Sequence, residues 1–162
     1  MNIPLVPLIR KTGFRYGIMG GVVSSALCLA FVWLPISGNW KFMFPALPTL
    51  ISIIAFTNVA FIFLAHLFFK NNNNGAMTFG QGVAISFWMG LASGTLISIT
   101  TYITTFLLAA YIADMAVDMA EMLAPRQMMP LFMKIFVAVI YAVLIGLVVS
   151  LFTKKNPDAA TF

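Results

Sequence analysis

The stretch that decides the fold is VAISFWMGLASGTLISITTYITTFLLAAYIA, residues 83–113. It contains no charged residue and exceeds the ~20 apolar residues that an α-helix needs to cross the ~30 Å hydrocarbon layer of a bilayer. Three other apolar stretches are long enough to do the same, at residues 16–36, 46–69 and 131–152. Together these stretches predict four transmembrane helices.

The composition leaves little room for any other fold class. The chain has 162 residues, of which 62% are hydrophobic and 8% are charged, and its mean hydropathy is +1.02. Strands of a membrane barrel would alternate polar and apolar residues, whereas these stretches are apolar on all sides. Four spans with short connections use nearly the whole length. We therefore expect an all-α membrane protein, a four-transmembrane-helix bundle that forms a single membrane domain over residues 1–162.

Basic residues flank the predicted spans unevenly. The formal charge is +5, but these residues lie at span ends rather than in one patch, so nucleic-acid binding is not expected. One side of the membrane receives Arg10, Lys11, Arg15, Lys70, Lys154 and Lys155, and the other receives Lys41, Arg126 and Lys134. Because basic loops stay in the cytoplasm, we expect both termini and residues 70–82 to be cytoplasmic. Residues 37–45 and 114–130 should then face outward.

Small residues recur at every fourth position in the first and third spans. In the first they are Gly13, Gly17, Gly21 and Ser25. In the third they are Gly82, Ser86, Gly90, Gly94 and Ser98. Residues four apart share one helix face, so each helix carries a smooth strip on which another backbone can approach closely. We predict that these strips are helix-packing surfaces at the centre of the bundle. The second and fourth spans are bulkier and are predicted to lack such a strip, which favours two tandem hairpins.

An acidic segment follows the third span and is predicted to be an outward amphipathic extension. Its carboxylates recur at helical spacing and are Asp114, Asp118 and Glu121. Methionines recur beside them at the same spacing and are Met115, Met119 and Met122. We expect this segment to be the partner-facing element. The acidic face would meet solvent or a basic partner, and the methionine face would lie against the bilayer surface or a neighbouring subunit.

Three of these features together resemble a known family. They are the two glycine and serine strips, the Thr78-Phe79-Gly80-Gln81 entry to the third helix, and the acidic helix before the last span. The chain resembles domain-of-unknown-function family 4199, small four-helix inner-membrane proteins found mainly in Bacteroidota. The resemblance covers essentially the whole chain. It implies an architecture and a location in the bacterial inner membrane, and it implies no known activity.

Two polar side chains within the second span are candidates for chemistry. His66 is the single histidine and lies near the cytoplasmic end of the span. It could be a haem ligand or a proton carrier. With no second histidine, and with Lys70 one turn away, an interfacial histidine is the favoured interpretation. Asn58, at mid-span, could line a substrate pathway, but it favours an interhelical hydrogen bond.

Methionines cluster in and around the outer segment and offer a possible copper site. They are Met115, Met119, Met122, Met128, Met129 and Met133. Thioethers select Cu(I), but no histidine or cysteine joins the cluster. The favoured interpretation is an amphipathic helix with an adaptable methionine face. We therefore predict no metal site and no cofactor, with a copper site as the alternative.

Hydroxyl groups are concentrated in the third span, at Ser93, Thr95, Ser98, Thr100, Thr101, Thr104 and Thr105. They could line a polar path, or they could bond to carbonyls of their own helix. No Asp, Glu, Lys or Arg lies in the middle of any span, which counts strongly against an ion-coupled pump and against an enzyme. We expect a non-enzymatic accessory or assembly subunit of a larger inner-membrane complex, in contact with lipid and other membrane subunits. The alternative is a small-solute transporter or channel that uses the third helix.

Overall fold

The computed structural model describes residues 5–36, 40–113 and 131–154. These residues form four helices: α1 (Leu5–Ile36), α2 (Trp40–Asn72), α3 (Phe79–Ala113) and α4 (Leu131–Thr153). Each contains a stretch long and apolar enough to cross a membrane, and these stretches are Leu5–Ala30, Ile51–Asn72, Phe79–Thr104 and Phe132–Thr153. The predicted all-α architecture with four membrane-spanning helices is confirmed, and it indicates a multi-pass membrane protein.

The first two helices begin earlier than the apolar stretches predicted. α1 begins at Leu5 and α2 begins at Trp40. Proline often marks the start of a helix, but Pro45 and Pro48 both lie inside α2. The difference has a simple cause, because hydropathy marks the part of a helix that can lie in hydrocarbon. The helix itself continues for as long as its backbone hydrogen bonds are made.

The bundle is apolar outside and partly polar inside. Large hydrophobic side chains dominate its surface, and Phe56, Phe106 and Phe152 are 75%, 69% and 84% exposed. The buried polar side chains are mostly small hydroxyls, and they are Thr12, Ser24, His66, Ser86, Ser93, Ser98, Thr104, Ser150 and Thr153. In water such a surface would be unfavourable. The distribution fits a bundle that is surrounded by lipid and held together by close helix contacts.

The small-residue strip of α1 packs against α3. A Cβ atom added at Gly13 would lie 2.7 Å from the carbonyl oxygen of Ile85, and one added at Gly17 would lie 2.6 Å from that of Met89. Both contacts are with backbone, which cannot rotate away as a side chain can. Glycine is therefore required for this approach.

The two helices of this contact run parallel. Residue numbers rise together along the contact, from Gly13 beside Ile85 to Ser25 beside Thr100. The Thr100 hydroxyl donates a hydrogen bond of 3.0 Å to the Ser25 oxygen. The strip of α1 therefore ends on an interhelical hydrogen bond, the kind of polar contact that adds to packing within a membrane.

The small-residue strip of α3 faces α4. A Cβ atom at Gly90 would lie 2.6 Å from Cβ of Ala142 and 3.0 Å from Cα of Val139. One at Gly94 would lie 2.7 Å from Cβ of Ala138. Because residue numbers rise along α3 as they fall along α4, these helices are antiparallel. The two predicted strips thus pack on different neighbours and do not meet each other.

α4 carries a small-residue strip of its own, so the prediction that the fourth span lacks one is wrong. Its members recur at every fourth position and are Ala138, Ala142, Gly146 and Ser150. The bulky residues on which the prediction rested occupy the other side of the helix. They are Val137, Ile140, Leu144 and Val148, and all are exposed. One helix can present small residues to a neighbour and large ones to lipid.

α2 completes the bundle by packing antiparallel against α1. The ring of Phe61 would lie 3.3 Å from a Cβ atom at Gly20, and the rings of Tyr16 and Phe68 have centroids 5.6 Å apart. α2 also contacts α3 and α4. The helices that follow each other in the chain therefore pair as α1 with α2 and α3 with α4. That these pairs are two tandem hairpins remains a prediction.

The turn between α2 and α3 is fixed by local hydrogen bonds. Asn74 and Gly75 both have positive φ, 50° and 76°, and the Gly75 amide donates to the carbonyl of Lys70 at 2.8 Å. This is the left-handed ending common at helix C-termini. The Thr78 amide then donates to the Gln81 side chain at 2.8 Å, and the Gln81 amide lies 3.4 Å from the Thr78 hydroxyl. Thr78 and Gln81 therefore form a capping box at the start of α3.

Replacing a glycine of these interfaces with leucine should disrupt the bundle. In Gly21→Leu or Gly90→Leu the new side chain would collide with α3 or α4, and overpacking of this kind costs at least ~1–3 kcal/mol. We expect loss of monodisperse protein in detergent, measured by size-exclusion chromatography after heating.

Val148→Leu is the matched control, because Val148 is 56% exposed on the outer face of α4. This variant should elute and melt as the native protein does. Equal tolerance of all three substitutions would contradict the packing described here.

Candidate functional site

The sequence-predicted site residues fall into two groups. The proposed helix-packing residues all lie in the described helices, and all except the half-buried Ser25 are buried. The proposed partner-facing residues, Asp114, Met115, Asp118, Met119, Glu121 and Met122, lie outside the described residues. The outward amphipathic extension predicted for this part of the chain lies outside them as well.

The most concentrated polar site in the described bundle surrounds His66, whose side chain has no exposed surface. Its Nδ1 lies 3.0 Å from the Thr153 hydroxyl oxygen. Its Nε2 lies 3.0 Å from the Gly82 carbonyl oxygen and 3.3 Å from the Ser86 hydroxyl oxygen. These partners belong to the start of α3 and the end of α4. A single ring from α2 therefore joins three helices at one end of the bundle.

The partners of the ring constrain where its protons lie. The Gly82 carbonyl can only accept, so Nε2 carries a hydrogen and donates to it. In the neutral ring, Nδ1 then accepts a hydrogen bond from the Thr153 hydroxyl. In the protonated ring, Nδ1 donates to that hydroxyl, which can donate in turn to the Val149 carbonyl 2.9 Å away. The cluster can thus keep its interhelical hydrogen bonds in either protonation state.

This geometry adds the surroundings of His66 to the sequence interpretation. That the side chain lies at the level of the membrane interface stays a prediction, and the ring is enclosed by α3 and α4. Both ring nitrogens contact protein atoms, so a haem iron at His66 would have to displace Thr153 or Gly82. Within the described residues there is also no group of three His, Cys, Asp or Glu side chains that could hold a metal ion.

Two glycines make the space for this cluster. A Cβ atom at Gly82 would overlap the Ser150 hydroxyl and would lie 3.2 Å from Cε1 of His66. A Cβ atom at Gly146 would overlap the side chain of Ser86. The small-residue strips of α3 and α4 therefore do more than bring two helices together. They also create the volume in which the ring and its hydroxyl partners fit.

The sequence prediction missed the contributions of α4 to this site, which are Gly146, Ser150 and Thr153. Two signals were available: the four-residue spacing of small residues in α4, and the need of a buried histidine for partners. The oxygen of Ser150 is buried without a hydrogen-bond partner among the described residues. Its place is explained by size, because it packs directly over Gly82.

Most of the threonine hydroxyl groups described in α3 donate hydrogen bonds to backbone carbonyls of the same helix. Thr95 donates to the Leu91 carbonyl at 2.7 Å, and Thr101 donates to that of Ile97 at 2.7 Å. Thr104 donates to the Thr101 carbonyl at 3.0 Å. Bonds of this kind satisfy a hydroxyl in lipid without any second helix.

Asn58 behaves in the same way as these hydroxyls. Its side-chain amide donates to the Ile54 carbonyl of its own helix at 3.0 Å. The predicted interhelical bond is therefore not the contact that this side chain makes. A polar residue at mid-span can satisfy its donor one turn back along its own helix.

An apolar groove of about 520 Å³ lies on the outer side of α3 and α4. Its walls are the side chains of Phe87, Leu91, Phe132, Met133, Ile135, Phe136 and Val139. All belong to candidate membrane spans, so the groove opens toward hydrocarbon. Its lining offers van der Waals contact to an acyl chain or to another helix.

Removing the histidine ring should weaken the attachment of α2 to the other helices. We expect His66→Leu to lower stability by about 1 kcal/mol, because interhelical hydrogen bonds in membrane proteins average ~0.6 kcal/mol and two are lost. Thr153→Val should cost less, since only one of those bonds is lost. The measurement is reversible unfolding in mixed detergent micelles.

Thr57→Val provides the control, because the Thr57 hydroxyl bonds to the Ile53 carbonyl of its own helix at 2.8 Å. Its loss should leave the attachment of α2 unchanged. A stability loss from Thr57→Val as large as that from His66→Leu would contradict a special role for the histidine.

Comparison with known proteins places this bundle in a family. A family model described as "Protein of unknown function (DUF4199)" matches residues 15–155. No curated protein and no solved structure gives a significant match. The matched range includes the α1 strip from Gly17 onward, the capping box, His66 and its partners on α3 and α4. The chain therefore belongs to the DUF4199 family, as its sequence features indicated.

Proposed function

We propose that this protein is a non-enzymatic accessory or assembly subunit of a larger complex in the bacterial inner membrane. The observation that carries this proposal is the use of polar groups inside the described bundle. His66 ties three helices together, and Ser25 and Thr100 tie α1 to α3. Thr95, Thr101 and Thr104 of α3 donate to backbone carbonyls. These contacts serve to hold helices in place.

The positions of the residues that could take part in catalysis also support a non-enzymatic role. All four acidic residues of the chain, Asp114, Asp118, Glu121 and Asp158, lie outside the four apolar stretches of the sequence. General acid–base chemistry needs a titratable group that can reach its substrate. His66 is the one histidine of the chain, and it has no exposed surface.

The rival function is a small-solute transporter or channel that uses the hydroxyl-rich α3. A polar path would need hydroxyls that face an open space. Ser93 and Ser98 are buried, and Ser93 lies against Gly21 of α1. The groove on α3 and α4 has an apolar lining. These contacts favour the accessory role.

The outer surface of the bundle supports an association with other membrane proteins. The apolar groove on the outer side of α3 and α4 offers a concave surface to a neighbouring transmembrane helix. In lipid, such helices associate through packing rather than through hydrophobic burial. A preformed groove is therefore a favourable place for contact.

The proposed orientation puts both termini in the cytoplasm. Arg10, Lys11, Arg15, Lys70 and Lys154 all lie toward the end of the bundle where α1 and α3 begin and α2 and α4 end. This asymmetry is what the positive-inside rule uses. Residues 114–130 would then face outward, where their acidic and methionine faces would meet a partner subunit.

The proposal is tested by purifying the tagged protein in a mild detergent and measuring its native mass. We expect a mass that no whole number of copies of this chain explains, because other membrane subunits are present. The same preparation in liposomes should be inactive in solute-flux assays. A homogeneous homo-oligomer that conducts a solute would contradict the accessory role and support the transporter.

A variant of the outer segment makes the test specific. Asp114→Asn, Asp118→Asn and Glu121→Gln combined should reduce recovery of partner subunits without changing membrane insertion. Lys154→Gln is the matched control. It also replaces a charged side chain with a neutral one of similar size, but at the opposite end of the bundle. Equal recovery from the acidic variant would assign those residues to a solvated surface with no partner.

A further inference from the structure

Two basic residues of α1, Lys11 and Arg15, lie one helical turn apart beside α2. Both are exposed on the bundle surface, and both belong to the candidate membrane span Leu5–Ala30. We propose that they form a site for the phosphate of an anionic phospholipid headgroup at the seam between α1 and α2. This site does not depend on the accessory role proposed above.

Lys11 and Arg15 have no countercharge in the part of the chain that the structure describes. The acidic residues of the chain are absent from residues 5–36, 40–113 and 131–154. The described residues therefore offer no carboxylate to neutralise either cation. A cation within a membrane span is unfavourable unless it is paired or reaches the headgroup region.

The Arg15 side chain is positioned by an aromatic ring of α2. Its guanidinium carbon lies 5.2 Å from the centroid of the Phe68 ring. That ring also packs against Tyr16, whose ring centroid is 5.6 Å away. A guanidinium over an aromatic face is held by a cation–π interaction while its N–H groups remain free to donate. Arg15 is thus fixed at the seam and still available to an anion.

The seam continues as a polar surface toward the end of the bundle. Because α1 and α2 are antiparallel, one turn back from Arg15 and one turn on from Phe68 lead to the same level. These turns bring Lys11 and Asn72 to the seam, and both are exposed. The Asn72 amide donates one hydrogen to the Phe68 carbonyl at 2.8 Å, and its second hydrogen has no partner among the described residues.

The chemistry of this seam matches a phosphate diester. Arginine donates two parallel hydrogen bonds to phosphate, and lysine adds a compact charge. A membrane supplies phosphate at the level where a span meets water, and its acyl chains can then lie along the apolar surface of α1. Val22 and Leu29 lie on that surface, 55% and 48% exposed. Anionic phospholipid is the source that satisfies both the charge and the surrounding hydrocarbon.

The test uses the purified full chain in nanodiscs that contain equal amounts of dioleoyl phosphatidylglycerol and dioleoyl phosphatidylcholine. Native mass spectrometry then measures which lipid stays bound. We expect the native protein to retain phosphatidylglycerol preferentially. Arg15→Gln and Lys11→Gln should each reduce that preference by about tenfold, because each removes a charge-assisted hydrogen bond to the bound phosphate.

Lys154→Gln is the matched control, because it removes the same charge at the same end of the bundle but from the residue that follows α4. It should leave the preference nearly unchanged. A reduction of the lipid preference as large as that of Arg15→Gln would mean that the total positive charge attracts the lipid, and it would overturn the site. Retention of both lipids equally by the native protein would overturn it too.

One further variant and one competing anion distinguish a lipid headgroup site from a site for a soluble anion. Phe68→Leu keeps every charge and should still lower the preference, since it removes the ring that holds Arg15 in place. An unchanged preference in this variant would contradict the seam geometry. Excess inorganic phosphate should not displace the bound lipid. Displacement by inorganic phosphate would assign the seam to a soluble anion and contradict the lipid site.

Discussion

Close approach of helix backbones at glycine is the constraint on which the rest of this structure depends. α3 lies between α1 and α4 and is approached closely on both sides. α1 contributes glycines that meet the α3 backbone at Ile85 and Met89, whereas α3 contributes Gly90 and Gly94 toward α4. In lipid, where apolar burial gives no driving force between helices, this contact supplies most of the association energy. Large side chains are consequently directed outward, and small polar ones remain inside.

The histidine cluster follows from the same constraint. Gly82 and Gly146 leave the volume that the hydroxyls of Ser150 and Ser86 occupy, and His66 bonds across the cleft that results. α2 is otherwise joined mainly to α1. The ring therefore acts as a polar link between α2 and the pair formed by α3 and α4. A link of this kind favours a protein whose task is to hold a defined shape in the membrane.

Much of the fold could be predicted from the sequence, and the limits have physical causes. Hydropathy predicted four spans, and the four-residue spacing predicted the strips of α1 and α3, because both signals are local. The α4 strip was missed because its alanines are less conspicuous than glycine and large residues alternate with them. The partners of His66 could not be predicted, since they depend on which helices are neighbours and at what height. Hydropathy also could not predict that α2 continues through Pro45 and Pro48.

The central claim is that α1 and α3 are parallel neighbours in direct contact, and one cross-linking experiment tests it most directly. In a Cys28→Ser background, Ser25→Cys with Thr100→Cys places two thiols where the native hydroxyl oxygens are 3.0 Å apart, close enough for a disulfide. Mild oxidation in native membranes should join them. Ser25→Cys with Tyr102→Cys should stay unjoined, because Tyr102 is 63% exposed on another face of α3. Failure of the first pair to join, or equal joining of both pairs, would contradict this account of the bundle.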